Sequence, residues 1–185
     1  MTARLPIVAL VGFMATGKST LGPHIAARLG VRFVDLDDEI ALEADRPIEE
    51  IFRVEGEAAF RSIEARVTRA LEPGPAGAVV ATGGGWMARP ELSGRWPGAI
   101  RVWLRARPET IVRRLGPDPT GRPMLNPADP EGSVRRLLAE RIRAYGEAEI
   151  VVDTDERRPE QLAEEIVEAV LLYGGKSGAR GTRRR

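Results

Sequence analysis

Along this chain, short unbroken apolar runs take turns with stretches in which apolar residues recur at helical spacing. Residues 5–11 (LPIVALV) form a run of the length expected for a strand buried on both faces, and Leu21, Ile25 and Leu29 follow on one helical face. Residues 31–37 (VRFVDLD) predict a second strand ending in spaced carboxylates. Residues 47–71 predict one helix with Ile48, Ile51, Phe52, Phe60, Ile63 and Val67 as its apolar positions, closed by the breaker EPGPAG. A third strand is predicted at 78–82 (AVVAT), directly before three glycines, and a fourth at 100–104, followed by a helix at 108–115. Residues 116–130 (GPDPTGRPMLNPADP) keep no period and read as a loop. Ser133 reads as the cap of a helix reaching about residue 144, with a last strand at 150–152 and a last helix at 159–173. Pro23 falls in the first two turns of the first helix, where it removes a backbone donor and permits a bend.

Strands alternating with helices predict an α/β fold: a parallel sheet covered on both faces. With 185 residues and 43% hydrophobic content, the chain can bury one core. Residues 1–175 are expected to form a single domain, and residues 176–185 a disordered basic tail. Five of the 28 Lys+Arg side chains lie in that tail, which has no acid, leaving 23 against 27 acidic groups in the body. A mildly acidic body points away from nucleic acid, except through the tail. No cysteine is present, which excludes disulfides and thiolate chemistry and fits a reducing cytoplasm. The run at 5–11 leads into GKST rather than a small-residue cleavage site, so it reads as a strand and not a signal peptide; no stretch is long enough to span a bilayer.

The chemistry concentrates at GFMATGKST, residues 12–20, which fits the pattern G-x-x-x-x-G-K-[ST] through Gly12, Gly17, Lys18 and Ser19. Such a loop turns backbone N–H groups toward a polyphosphate, aims a lysine at its terminal phosphates and offers a hydroxyl to Mg²⁺. Lysine usage supports this, because Lys18 and Lys176 are the only lysines in an arginine-rich chain. Asp35 and Asp37, two apart at a predicted strand end, are candidates for metal coordination and for holding a hydroxyl; the competing role is capping the next helix. Gly83, Gly84 and Gly85 either turn the chain or let a ligand approach the backbone. Arg61 lies among Glu57 and Glu64, so surface pairing competes with a binding role. Phe52 and Phe60 read first as core, His24 as surface, and Arg122 as a guanidinium on a mobile lid.

Taken together, GFMATGKST at 12–20, FVDLD at 33–37, IFRVEGEAAFRSIE at 51–64, ATGGG at 81–85, TGRPML at 120–125, ERIRAY at 140–145 and VVDT at 151–154 resemble the shikimate kinases. The resemblance runs from residue 5 to about 172. It implies a P-loop NTPase fold like that of nucleoside-monophosphate kinases, with a five-stranded parallel sheet, a substrate-binding region at about 36–72 and a lid at about 116–130. It implies phosphoryl transfer from MgATP to the 3-hydroxyl of shikimate. No long apolar stripe is left over to demand a partner, so a monomer is expected. By similarity Gly12, Ala15, Thr16, Gly17, Lys18, Ser19 and Thr20 hold the nucleotide with Arg114, Arg122 and Arg157, and Pro159 borders the adenine region. Ser19 and Asp35 serve the metal, and Lys18, Asp37 and Arg122 are the catalytic group. Asp37, Phe52, Phe60, Arg61, Glu64, Gly83, Gly84, Gly85 and Arg141 form the shikimate site. The chain departs from the family where Ala15 replaces glycine, Leu36 threonine and Arg143 proline. Two further readings are a kinase of another hydroxy-acid such as gluconate, and a nucleotide-binding regulator with weak catalysis.

Overall fold

The computed structural model describes residues 6–71, 77–116, 122–126 and 128–181. Among them, five strands form one parallel sheet in the order β2-β3-β1-β4-β5: β1 (Ile7–Val11), β2 (Arg32–Asp35), β3 (Ala78–Ala81), β4 (Ile100–Arg105) and β5 (Ile150–Asp153). β1 is central, and all five of its residues are buried. Its side chains alternate between two cores: Ile7, Ala9 and Val11 join Val34, Trp86 and Tyr145 on one face, while Val8 and Leu10 join Leu21, Ile25 and Ile166 on the other. A strand wetted on neither face has no reason to alternate polar residues, which is why the run at 5–11 is continuous.

The helices are α1 (Lys18–Leu29), α2 (Leu36–Ala44), α3 (Ile48–Val54), α4 (Gly56–Ala70), α5 (Pro90–Ser93), α6 (Pro108–Leu115), α7 (Pro130–Tyr145) and α8 (Pro159–Gly181). Several boundaries correct the sequence expectations. The long helix expected at 47–71 is two helices, because Gly56 takes a positive φ of 81° that breaks the helical path between α3 and α4. A 3₁₀ turn at Trp86–Ala88 and the short α5 were not anticipated. α7 is capped by Asp129, whose side chain accepts from Gly132 N, with Pro130 at the first helical position; Ser133 lies inside the helix and accepts from Asn126 N instead. α8 continues to Gly181, past residue 173 and into the segment expected to be a disordered tail. Elongating a helix already anchored by Leu162, Ile166 and Val170 costs far less than starting one, and no proline stops it. Residues 182–185 of that tail, and residues 117–121 and 127 of the expected lid, lie outside the described residues. No helix among the described residues is long and apolar enough to cross a membrane.

Pro23 is exposed on α1, and its neighbour Gly22 sets how closely the helix meets the sheet. Gly22 is buried, and a Cβ there would come within 2.0 Å of the Phe33 ring on β2. Gly22→Ala is therefore expected to destabilise the fold by about 1–3 kcal/mol through overpacking. A thermal melt showing no decrease would remove this close contact as a constraint. All four sheet pairings place the strands' carboxyl ends at one edge, where the loops after β1, β2 and β3 converge.

Candidate active site

The segment between β1 and α1 closes on itself through left-handed residues. Gly12 and Gly17 have φ of 139° and 100°, and Ala15 has 59°, a conformation that costs a side-chain-bearing residue about 1–2 kcal/mol. A Cβ on Gly12 would stand 2.6 Å from the Leu104 carbonyl oxygen, so this glycine is demanded by the seating of the loop on β4. The buried Thr16 hydroxyl donates to Phe13 O at 2.8 Å, which ties the loop internally. Lys18 folds back over it, Nζ donating to Gly12 O at 3.0 Å and Phe13 O at 2.8 Å. Burial pushes the Lys18 ammonium down to about 8, against the attraction of Asp37 and Asp35; Arg122 and Arg141 push it the same way as burial.

Asp35 takes the capping role and keeps its second oxygen beside Ser19. Its Oδ1 accepts from Asp37 N at 3.0 Å, capping α2, while Oδ2 accepts from Ser19 Oγ at 2.5 Å. Asp37 does not lie at the strand end as expected but in the first turn of α2. The cap ends β2 at Asp35 and sends Leu36 into the core. The Asp37 side chain is exposed toward a cavity, whose walls partly desolvate it and raise its pKa, opposed by Lys18 and assisted by Asp35 and Glu64. Among the described residues no cluster of three His, Cys, Asp or Glu could hold a metal alone. The Ser19–Asp35 oxygen pair is the donor set suited to Mg²⁺, a hard ion that takes few protein ligands and completes its shell with water and phosphate.

A cavity of about 350 Å³ is lined by Asp37, Phe52, Phe60, Arg61, Glu64, Gly83, Gly84, Gly85, Arg122 and Arg141. All nine residues expected at a shikimate site thus share one wall system. The three glycines explain each other here. A Cβ on Gly83 would lie 2.8 Å from Glu64 Oε1 and 3.5 Å from Asp37 Oδ1; on Gly84, 3.3 Å from Arg141 Nη1; on Gly85, 3.2 Å from both Arg61 Nη1 and Nη2. The strip is bare because charged groups lean on it at every step. Tyr145, buried and pushed up to about 12 by desolvation, stays protonated and donates its hydroxyl to Gly84 O, fixing the strip from below.

Arg61 satisfies the pairing role and remains available for another. Its Nε and Nη2 donate to Glu57 Oε1 at 3.1 and 3.0 Å, and Nη1 donates to Glu64 Oε2 at 2.9 Å. A guanidinium carries five N–H donors, so two remain, one on each terminal nitrogen, beside Gly85. Arg141, only 8% exposed, stacks its guanidinium 5.6 Å over the Phe13 ring. Arg143, at the position where proline was expected, is exposed and does not obstruct it. Phe52 and Phe60 pack against each other at 4.7 Å and also line the cavity, so core and pocket are not exclusive.

A second cavity of about 480 Å³ is lined by Ala15, Thr16, Gly17, Thr20, Arg114, Arg122, Arg157 and Pro159. Arg114 is anchored to Thr154 Oγ1 at 3.0 Å and to Ala15 O at 3.3 Å, and Arg157 pairs with Glu165. Arg122 lines both cavities. His24 is exposed on α1, as expected. Sequence reasoning missed Tyr145 as a brace, Met14 and Met124 as cavity walls, and Arg89, which donates to Glu64 Oε2 at 3.1 Å.

A family model described as shikimate kinase matches residues 14–171. A shikimate kinase of Nitrobacter winogradskyi is 46% identical over 162 residues, 86% of this chain and 74% of that protein. One from Bradyrhizobium diazoefficiens is 43% identical over 90% of this chain and 80% of its own length. The solved structure of a shikimate kinase from Acinetobacter baumannii in complex with shikimate superposes with a TM-score of 0.85 at 34% identity, covering 91% of this chain and 94% of that one. A glycine-lined phosphate loop on a five-stranded parallel sheet, matched over most of its length by these relatives, places the fold among P-loop NTPase kinases, and the chain belongs to the shikimate kinase family.

Proposed function

We propose that this chain transfers the γ-phosphoryl group of ATP to the 3-hydroxyl of shikimate, giving shikimate 3-phosphate and ADP. The observation that carries the reading is two cavities sharing Arg122, one walled by the phosphate loop and the other by two arginines and an aspartate. ATP occupies the first, with its phosphates along the loop and its base toward Arg114, Arg157 and Pro159. Shikimate occupies the second, its carboxylate on Arg61 and Arg141 and its hydroxyls on Asp37. A polyhydroxylated carboxylic acid is the complement of that set, which both shikimate and gluconate satisfy; the 46% identity to a shikimate kinase and the match to a shikimate complex favour shikimate.

The transferring group passes through a loose transition state, so catalysis is mostly positioning and charge. Lys18, held over the loop, meets charge growing on the β- and γ-oxygens, and Arg122 approaches from the lid side of both cavities. Asp37 orients the attacking hydroxyl. Its raised pKa makes it a better acceptor for the hydroxyl proton than an ordinary carboxylate. Ser19 and Asp35 would hold Mg²⁺, which supplies charge neutralisation between the phosphates. Residues 36–72 form the substrate-binding region in this reading, and residues 116–130, with Arg122, the lid. One copy of the chain lines both cavities, so the reading needs no partner subunit.

A coupled assay of ADP release tests this with shikimate, with gluconate and with neither. Turnover is expected only with shikimate and Mg²⁺ present. Turnover with gluconate alone would transfer the assignment to that acid, and ATP binding without any turnover would leave a nucleotide-binding regulator.

A further inference from the structure

Behind the proposed carboxylate site lies a buried acid that Arg61 alone does not balance. Glu64 is fully buried at its side chain, and Arg61 already serves Glu57 as well. Arg141 faces the cavity but has no bond to Glu64, so at Glu64 itself one guanidinium shared with Glu57 leaves a buried negative charge undercompensated, and water does not reach it to make up the difference. Arg89 supplies the missing charge. Its Nη1 donates to Glu64 Oε2 at 3.1 Å, the same oxygen that accepts from Arg61 Nη1 at 2.9 Å.

Arg89 is held there by the structure around it. It follows the 3₁₀ turn, its N donating to Trp86 O at 3.2 Å, and its carbonyl accepts from Leu92 N at 2.9 Å and Ser93 N at 3.0 Å at the start of α5. Trp86 is fully buried, stacks on Trp96 at 4.9 Å and donates to Thr68 on α4 at 3.3 Å. The Arg89 Nε is turned outward to the half-exposed Glu91 at 2.8 Å. Arg89 does not line the cavity, so it acts through others. The Glu64 Oε1 atom strengthens the need for it: this oxygen is buried without a hydrogen-bond partner among the described residues and leans, with Asp37, on Gly83.

We infer that Arg89 is a positioning residue for substrate recognition: by sharing Glu64 with Arg61 it balances the buried carboxylate and leaves the outer donors of Arg61 free for the substrate's carboxylate. This rests on the proposed shikimate site, so wild type is assayed first; absence of shikimate-dependent turnover there would remove the function reading itself. With wild type active, Arg89→Met is expected to raise the shikimate KM about tenfold, the effect of losing one charge-assisted contact, with kcat and the ATP KM changed less than about threefold. Arg89→Lys keeps the charge and is expected to return the shikimate KM to within about threefold of wild type. A shikimate analogue with a carboxamide in place of the carboxylate, used as a competitor, is expected to bind Arg89→Met as well as it binds wild type. An unchanged shikimate KM in Arg89→Met would overturn the inference. So would equal weakening of the acid and the carboxamide, or a joint shift of both KM values and kcat that Arg89→Lys fails to rescue.

Discussion

Replacing Lys18 with alanine is expected to lower kcat by about 10²–10³-fold while the melting temperature stays at or above that of wild type. The catalytic loss follows from the position of Nζ, poised over the loop carbonyls of Gly12 and Phe13 and within the field of Asp35, Asp37, Arg122 and Arg141. Removing one prearranged donor from a developing anionic charge in a water-poor cleft costs that much. The stability side follows from the same burial. An ammonium pushed down to about 8 is one the folded protein holds charged at a cost, and its two hydrogen bonds to carbonyls offset only part of it. Arginine at this position is not a rescue, because a planar fork cannot occupy the space of a point charge between two carbonyls. Steady-state kinetics beside a thermal melt checks both halves, and normal turnover in the alanine variant would remove the phosphate role.

The strands of this fold were legible because burial on both faces writes an unmistakable run: β1 is buried at every residue. Helix ends were less so, for physical reasons specific to each. Gly56 breaks the helix by a positive φ, yet apolar residues at helical spacing stand on both sides of it, Ile48 and Ile51 before and Phe60, Ile63 and Val67 after, since α3 and α4 bury their apolar faces together around Ile40. At α7, Asp129 followed by Pro130 is itself a start signal, and Ser133, four residues after Asp129, competes with it only as another residue of capping type. The extension of α8 was hidden by composition, because Gly and basic residues read as solvated coil when no anchored helix precedes them.

The site divides in the same way. A loop whose chemistry is local can be read from nine consecutive residues, and so can a carboxylate pair two apart. What Glu64 does cannot. A glutamate on a helix beside an arginine three residues earlier reads as surface pairing until the tertiary packing removes its water, and Arg89, 25 residues away, has no periodic or local tie to it. The triglycine strip lies between these cases: its smallness was visible, but the reason emerges only when Asp37, Glu64, Arg141 and Arg61 are seen resting on it.

Arg61→Ala is expected to raise the shikimate KM about 10²-fold while changing the ATP KM less than about threefold. Two free donors beside Gly85 form the end-on fork for a carboxylate, and losing a pair of charge-assisted hydrogen bonds corresponds to about two factors of ten. ATP is spared because Arg61 lines the substrate cavity alone, with no part in the cavity bordered by Ala15 and Arg157. The substitution also strips one of two cations from the buried Glu64, so a loss of about 1–3 kcal/mol in stability accompanies the kinetic effect. Arg61→Lys separates the two consequences. It keeps a charge for Glu64 and so should recover most of the melting temperature, yet it lacks the planar fork and should leave the shikimate KM well above wild type. Equal losses of affinity for shikimate and ATP in Arg61→Ala would place the carboxylate contact elsewhere, as would full recovery of the shikimate KM by lysine.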